Sequence, residues 1–312
     1  MPTITLTVGL PGCGKTTWAI EEVRRTRGNS VNLNLDDIRQ SMAGKHSQYK
    51  FNDQNEAYIR NLQHLAAALA VADRKNIIVS DTNVKPEIVD FWKDFAKENK
   101  YTFKTHNFFK IFKEENAEKN YPHEYFYMRD FVTLCKKQNV QRSKVEPDSI
   151  IDGMAESWFY SKIILPPKPM NVTELEDAII VDIDGTLAHM HNRSPYDESK
   201  VLSDFCDPEV ILSILAEKEY LGRRVIIMSG RHETCREDTI EWLNKFNIPF
   251  DELHMRGADD SRSDDVVKYE LYMQHVYTKF NVVKVFDDRD RVVVMWRKLL
   301  GLKVYQVAEG NF

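Results

Sequence analysis

Residues 9–16 read Gly-Leu-Pro-Gly-Cys-Gly-Lys-Thr, a GxxxxGK(S/T) stretch between an alternating apolar run at 3–8 and a helix-patterned run at 15–27. That placement leaves little freedom. The glycines must make a tight loop at the carboxyl end of a strand, and the helix that follows must aim its first N–H groups at an anion. Gly9, Gly12, Cys13, Gly14, Lys15, Thr16 and Thr17 therefore form an expected phosphate cradle. Lys15 is placed to meet the β and γ phosphates of a nucleotide, and the Thr16 hydroxyl to ligate Mg²⁺. Cys13 stands at a position the motif leaves open and reads as a small filler.

The strand–helix rhythm continues. Val31–Leu35, Ile77–Val79 and 101–107 read as strands; Leu62, Leu65, Ala66 and Leu69 mark one face of a longer helix; 87–99 and 124–137 read as further helices. Pro166-Pro167-Lys168-Pro169 then imposes an extended path. Beyond it the alternation restarts, with strands at 178–183, 224–228, 282–286 and 303–306 and helices at 208–218, 234–246, 266–277 and 292–299. The expected architecture is α/β, with two domains at 1–165 and 173–312, mainly parallel sheets, and a proline-rich linker at 166–172. A chain of 312 residues is long enough for two cores.

Composition excludes several classes. Hydrophobic residues make up 42% and charged residues 29%, which rules out disorder and low complexity. The longest apolar runs are about five residues, far short of the roughly 20 that span a bilayer. No membrane contact is expected, no secretion leader is visible, and four isolated cysteines (Cys13, Cys135, Cys206, Cys235) fit reduced thiols in a cytoplasmic setting. Residues 1–165 carry 24 Lys+Arg against 21 Asp+Glu, and the remainder 19 against 27. Neither half is a polycation, so a nucleic acid would have to be held by local clusters.

Two sets of carboxylates suggest chemistry. Asn34-Leu35-Asp36-Asp37-Ile38-Arg39 follows the second strand; Asp36 suits a base that takes a proton from a phosphoryl acceptor, Asp37 a helix cap, and Arg39 a phosphate contact one turn on. Ser80-Asp81-Thr82-Asn83 follows the third strand as a second acidic candidate or a plain turn. In the second half, Asp182-Ile183-Asp184-Gly185-Thr186 ends an apolar strand. One aspartate is suited to attack phosphorus and the other to move a proton, with Mg²⁺ bringing two anions together. Ser229-Gly230-Arg231 can hold phosphoryl oxygens, Lys268 can neutralise developing charge, and Asp287-Asp288 can hold the metal. The metal set read from the sequence is Thr16 in the first half and Asp182, Asp184, Asp287 and Asp288 in the second.

The order DxDGT, Ser, Lys, Asp-Asp resembles the haloacid dehalogenase phosphohydrolases. Together with the first loop it resembles the T-even phage type of polynucleotide kinase with 3′-phosphatase activity. The likeness runs through LPGCGKTTW, DDIRQS, SDTNVKPE, DIDGTLA, RSPYD, DSRSDDVVK, FDDR, VVVMWR and QVAEGNF. It implies a P-loop kinase domain joined to a haloacid dehalogenase-like, Rossmannoid phosphatase domain. The activities implied are transfer of the ATP γ-phosphate to 5′-OH ends of RNA or DNA and removal of 3′-phosphate or 2′,3′-cyclic phosphate, leaving ends for a ligase. It implies a homo-oligomer, Asp36 as kinase base, Arg39 at the acceptor end and Asp81 and Thr82 along the acceptor channel. In the phosphatase, Asp182 is the implied nucleophile and Asp184 the acid and base, with Arg193 and Arg231 lining the pocket. The family's lid arginines fall, by ungapped placement, on Glu115 and Lys119, leaving Lys119, Arg129 or Arg142 to cover ATP.

Tyr121, Tyr125, Phe126 and Tyr127 read as core at helical spacing, and His189 and His191 as solvent-facing. Two other readings stay open on the residues alone: a small-molecule kinase fused to a metabolite phosphatase, and a nucleotide-dependent RNA clamp joined to a phosphatase.

Overall fold

The computed structural model describes residues 1–43, 49–142, 145–163, 165, 175–191, 193–194 and 197–310. The linker expected at 166–172, Pro195 and Tyr196 of RSPYD, and the last two residues of QVAEGNF lie outside them. The chain divides into two compact units, Met1–Lys162 and Ile163–Phe312.

The first unit runs β1 (Thr3–Val8), α1 (Lys15–Arg25), β2 (Ser30–Leu33), α2 (Leu35–Ala43), α3 (Asp53–Ala72), β3 (Asn76–Val79), α4 (Pro86–Glu98), β4 (Thr102–Asn107), α5 (Phe108–Glu115), α6 (Glu124–Asn139) and α7 (Asp148–Trp158). Its four parallel strands lie in the order β2-β3-β1-β4, with Ile4 opposite Ile77 and Phe103. Strand order reverses at β1, so a crevice opens beyond its carboxyl end, and the Gly9–Thr16 loop occupies that place. Ile4, Leu6, Ile77 and Val79 meet Ala67 and Ala70 of α3 and Trp92 and Ala96 of α4 in one core.

The helix over Leu62–Leu69 exists, yet its leucines point the other way: Leu65 and Leu69 are 59% and 64% exposed, while Ile59, Gln63, Ala67 and Ala70 are buried. Small alanines let α3 lie close to the sheet, and the leucine row falls one position round. Leu35 is not a strand residue but the first of α2. α2 buries no residue, so it has no apolar stripe to read in the sequence. Tyr125, Phe126 and Tyr127 are core, as expected.

The second unit runs β5 (Glu176–Val181), β6 (Ala188–His189), β7 (Phe205–Cys206), α8 (Pro208–Glu219), β8 (Arg224–His232), α9 (Arg236–Lys245), β9 (Glu252–Arg256), α10 (Asp264–Leu271), β10 (Phe280–Arg289), α11 (Asp290–Val294) and β11 (Val304–Gly310). Both α10 and α11 continue as single π-helical turns, Tyr272–Val276 and Met295–Leu299. The parallel sheet has the order β11-β10-β5-β8-β9, and β6 and β7 pair antiparallel beside it. β5 at the centre and β10 beside it deliver Asp182 and Asp287-Asp288 from neighbouring strands. All four cysteines are free thiols. Among the described residues no helix is long and apolar enough to cross a membrane.

Candidate active sites

The Gly9–Thr16 loop borders a cleft of about 850 Å³ lined by Gly12, Gly14, Lys15, Thr16 and Thr17. Gly12 and Gly14 have φ of +87° and +96°, the left-handed region that a side chain disfavours. A Cβ on Gly12 would also run into the Cys135 carbonyl of α6. The Lys15 ammonium donates to the Leu10 carbonyl at 2.7 Å and has no carboxylate partner among the described residues, which leaves its charge for an anion. Gly9 and Cys13 stand behind the cradle instead of lining it: the Gly9 N–H donates to Thr82 at 3.0 Å, fastening the loop to the end of β3. Burial alone would push the Cys13 thiol up, but a hydrogen bond with Cys135 and the Lys15 charge hold it at about 7.

Across the cleft, Asn34 and not Asp37 caps α2, its Oδ1 accepting from the N–H groups of Asp36 and Asp37 at 2.9 and 3.2 Å. Asp36 lies half-buried in the lining, with Arg39 donating to it at 2.7 Å. A second carboxylate, Glu56 on α3, grips the same guanidinium at 2.6 Å. Glu56 went unread because only the fold brings it beside Arg39, 17 positions away. Asp81 is fixed by the Leu35 N–H at 2.9 Å and by Gln63 at 2.7 Å, and burial pushes its carboxyl up to about 6. Asp81 and Thr82 both face the cleft.

The lid expectation changes. Lys119 does not line the cleft; its ammonium pairs with Asp130 at 2.9 Å, and Arg129 is held by the same carboxylate. Arg142, just past α6, does line it, together with Gln138 and Gln141. Arg142 follows the end of α6 in a turn, so the seating of that helix end brings it, with Gln138, to the cleft.

In the second unit the cavity holds about 450 Å³ and reaches Asp182, Asp184, Arg231, Lys268 and Asp288. Asp182, Asp287 and Asp288 present carboxylate oxygens all within 4.8 Å of one another, all buried. Lys268 bridges two of them, 2.8 Å from Asp182 and 2.8 Å from Asp287. Gly185, with φ +86°, is required because a Cβ there would strike the Asp288 carboxylate. Three buried carboxylates against one ammonium leave an excess of negative charge, and burial pushes Asp182 well above the ordinary range and raises Asp288 as well. An all-oxygen, net-negative set suits a hard divalent cation such as Mg²⁺.

Asp184 belongs to a different environment. Arg231 grips it in a two-pronged pair at 2.8 and 2.8 Å, and Arg193 adds a bond at 2.7 Å. Burial works to raise its pKa, but the two guanidiniums prevail and hold it below the usual range. Asp184, expected in the metal set, is not part of the Asp182, Asp287 and Asp288 cluster. Arg193 is also relocated: its side chain is buried and does not reach the cavity, so it acts through Asp184. Asp204, which the sequence reading missed, anchors both arginines, accepting from Arg193 at 2.6 Å and Arg231 at 3.0 Å. Ser229 is fully buried; its hydroxyl accepts from the Arg231 N–H at 3.2 Å and so shapes the turn that carries Arg231. His189 pairs with Asp207 and His191 packs on Phe205, away from any metal set.

Comparison with known proteins matches each unit separately. Residues 176–312 match the family described as the polynucleotide kinase PNKP phosphatase domain, and residues 4–150 match an AAA domain family. A proposed bifunctional polynucleotide kinase/RNA ligase of Autographa californica nuclear polyhedrosis virus is 29% identical over 96% of this chain. The chain spans 42% of that relative's length. Two structures of the Pnkp1/Rnl/Hen1 RNA repair complex contain chains 28% and 26% identical to this one. Each is covered nearly end to end, 97% and 98%, with all of this chain and a TM-score of 0.44. Each unit thus resembles a different domain family, residues 4–150 an AAA domain and residues 176–312 a polynucleotide kinase phosphatase domain.

Proposed function

We propose that the chain heals broken polynucleotide ends, phosphorylating a 5′-hydroxyl from ATP in the first unit and removing 3′-phosphate or 2′,3′-cyclic phosphate in the second. In the first, Asp36 accepts the proton of the attacking hydroxyl while Arg39, braced by Glu56, orients the acceptor end. Lys15 and Arg142 meet the charge that builds on the transferring phosphoryl group, and ADP leaves. Thr16 would hold Mg²⁺, which screens the phosphates when bound.

In the second unit an Asp182 oxygen attacks phosphorus and the bond to the 3′-oxygen breaks. Asp184, ionised between its arginines in the free protein, takes a proton from solvent as the anionic substrate binds beside Arg231, and passes it to that oxygen; water then attacks the aspartyl phosphate, giving its proton to Asp184 and releasing phosphate. Lys268 offsets charge on the phosphoryl oxygens, and Asp182, Asp287 and Asp288 would hold Mg²⁺, which draws the anionic phosphate toward the nucleophile. The observation that carries this reading is the split between two neighbouring aspartates, one among carboxylates beside Lys268 and the other clamped by arginines. The two groups therefore have different surroundings: Asp182 sits where a bound Mg²⁺ would keep it ionised for attack, and Asp184, ionised between its arginines in the free protein, serves as acid once substrate binding has brought it a proton. The relative that couples a polynucleotide kinase with an RNA ligase supports delivery of the healed ends to a ligase.

The test is incubation with labelled ATP and oligonucleotides bearing 5′-OH, 3′-phosphate or 2′,3′-cyclic phosphate ends, RNA and DNA in parallel. Label transfer and phosphate release are expected. Activity on mononucleosides with none on oligonucleotides would instead point to a metabolite kinase and phosphatase.

A further inference from the structure

The phosphatase cavity is lined by many cations, and nearly all are matched. At its buried end Arg231 is held by Asp184 and Asp204, and Lys268 by Asp182 and Asp287. Around the wall Asp264 takes both Arg256 and Arg289, and Arg262 is shared by Asp260 at 2.7 Å and Glu270 at 2.5 Å. His232 rests on Glu198 at 3.0 Å.

Arg291 differs. It lines the same cavity from α11, its residue is exposed, and it has no carboxylate partner among the described residues. The nearest candidate in sequence, Asp290, is turned aside to accept from Gln306 at 2.6 Å. The cavity therefore has a buried end where each cation is held by carboxylates and an exposed side with a guanidinium that has no carboxylate partner among the described residues. A terminal phosphate seated at Asp182 and Lys268 occupies the closed end, and any further phosphate of the same strand must leave by the open side. A guanidinium presents a planar fork that matches a phosphate.

We propose that Arg291 binds the phosphodiester next to the terminal 3′-phosphate, so that the cavity selects a polynucleotide end over a mononucleotide. The inference rests on the phosphatase reading given above, and adds a specificity residue to it.

The experiment compares kcat/KM for a decanucleotide 3′-phosphate and a nucleoside 3′-monophosphate in the unaltered protein, Arg291→Gln and Arg291→Lys, over a range of salt. The decanucleotide to mononucleotide ratio is expected to fall about tenfold in Arg291→Gln, through KM, with Arg291→Lys recovering part of it. The dependence of log(kcat/KM) on log salt for the decanucleotide should become shallower by about one. An unchanged ratio, whether both substrates suffer equally or neither does, overturns the role of Arg291. If the unaltered protein hydrolyses the mononucleotide and not the decanucleotide, the polynucleotide reading itself fails, a result distinct from an unchanged ratio.

Discussion

The two sites solve the problem of holding phosphate in opposite ways. The first is made around backbone: left-handed glycines, the start of α1 and a lysine without a carboxylate partner among the described residues. The second is made of buried charge, in which carboxylates and cations are matched from five separate stretches of chain. A backbone cradle is rigid before its ligand arrives and tolerates variation in the side chains around it. A buried charge network depends on every member, because removing one leaves its partner uncompensated at low dielectric.

The sharpest break of that comparison is Asp184→Asn. It removes the proton donor, so turnover of an oligonucleotide 3′-phosphate should drop about 10³-fold. An aryl phosphate, whose leaving group needs no proton, should be much less affected. A fixed ratio between the two substrates would remove Asp184 from the acid role.

Gly12→Ala breaks the other side. The left-handed backbone alone costs on the order of 1 kcal/mol, and the approach to the Cys135 carbonyl adds to it. Kinase activity should fall about 100-fold and thermal unfolding of the first unit should move lower, with phosphatase turnover intact. A functional Gly12→Ala kinase would show that the loop conformation is not required.

Arg142→Ala should raise the KM for ATP or lower kcat by roughly tenfold, as loss of one charge at the transferring phosphate does. Lys119→Ala, which loses its pair with Asp130 and its contacts over Phe112 and Tyr121, all outside the cleft, should stay within about twofold. The reverse order would restore the lid to Lys119.

The smallest effect concerns pH. Asp81 has its pKa raised by burial to about 6 from an ordinary 3.8, so the folded state holds its proton where the unfolded chain has lost it. Stability of the first unit should therefore fall as pH rises from about 4 to 6. Asp81→Asn keeps the acceptor for the Leu35 N–H, and Gln63 can turn its amide to match. The variant should lose that slope and be more stable at pH 7, by on the order of 1 kcal/mol. Unfolding midpoints across this range decide the matter, and an unchanged slope contradicts the assignment.

Legibility in the sequence follows the same division. The phosphate loop is contiguous, so its residue types and flanks are sufficient to read it. Strand ends carrying Asp182 and Asp287-Asp288 were also readable, because an apolar run that stops at an aspartate is a local signal. What escaped was partnership across distance. Asp204 lies 20 positions beyond Asp184, close to β7, a strand of two residues with no pattern to mark it. Glu56 depends on how α3 is seated, and the choice of Arg142 among the three cations the sequence offered depends on how the end of α6 is seated. The buried face of α3 was hidden because alanines, not leucines, allow the close approach to the sheet.

The central claim is that one chain carries two complete phosphate-transferring sites, one held by backbone and one by charge. The direct measurement is 5′-phosphorylation and 3′-dephosphorylation assayed side by side in Lys15→Ala and Asp182→Asn. Lys15→Ala should lose the kinase and keep 3′-phosphatase turnover within about twofold; Asp182→Asn should do the opposite, since an amide cannot attack phosphorus. Loss of both activities in either variant, with the protein still folded, would contradict the account.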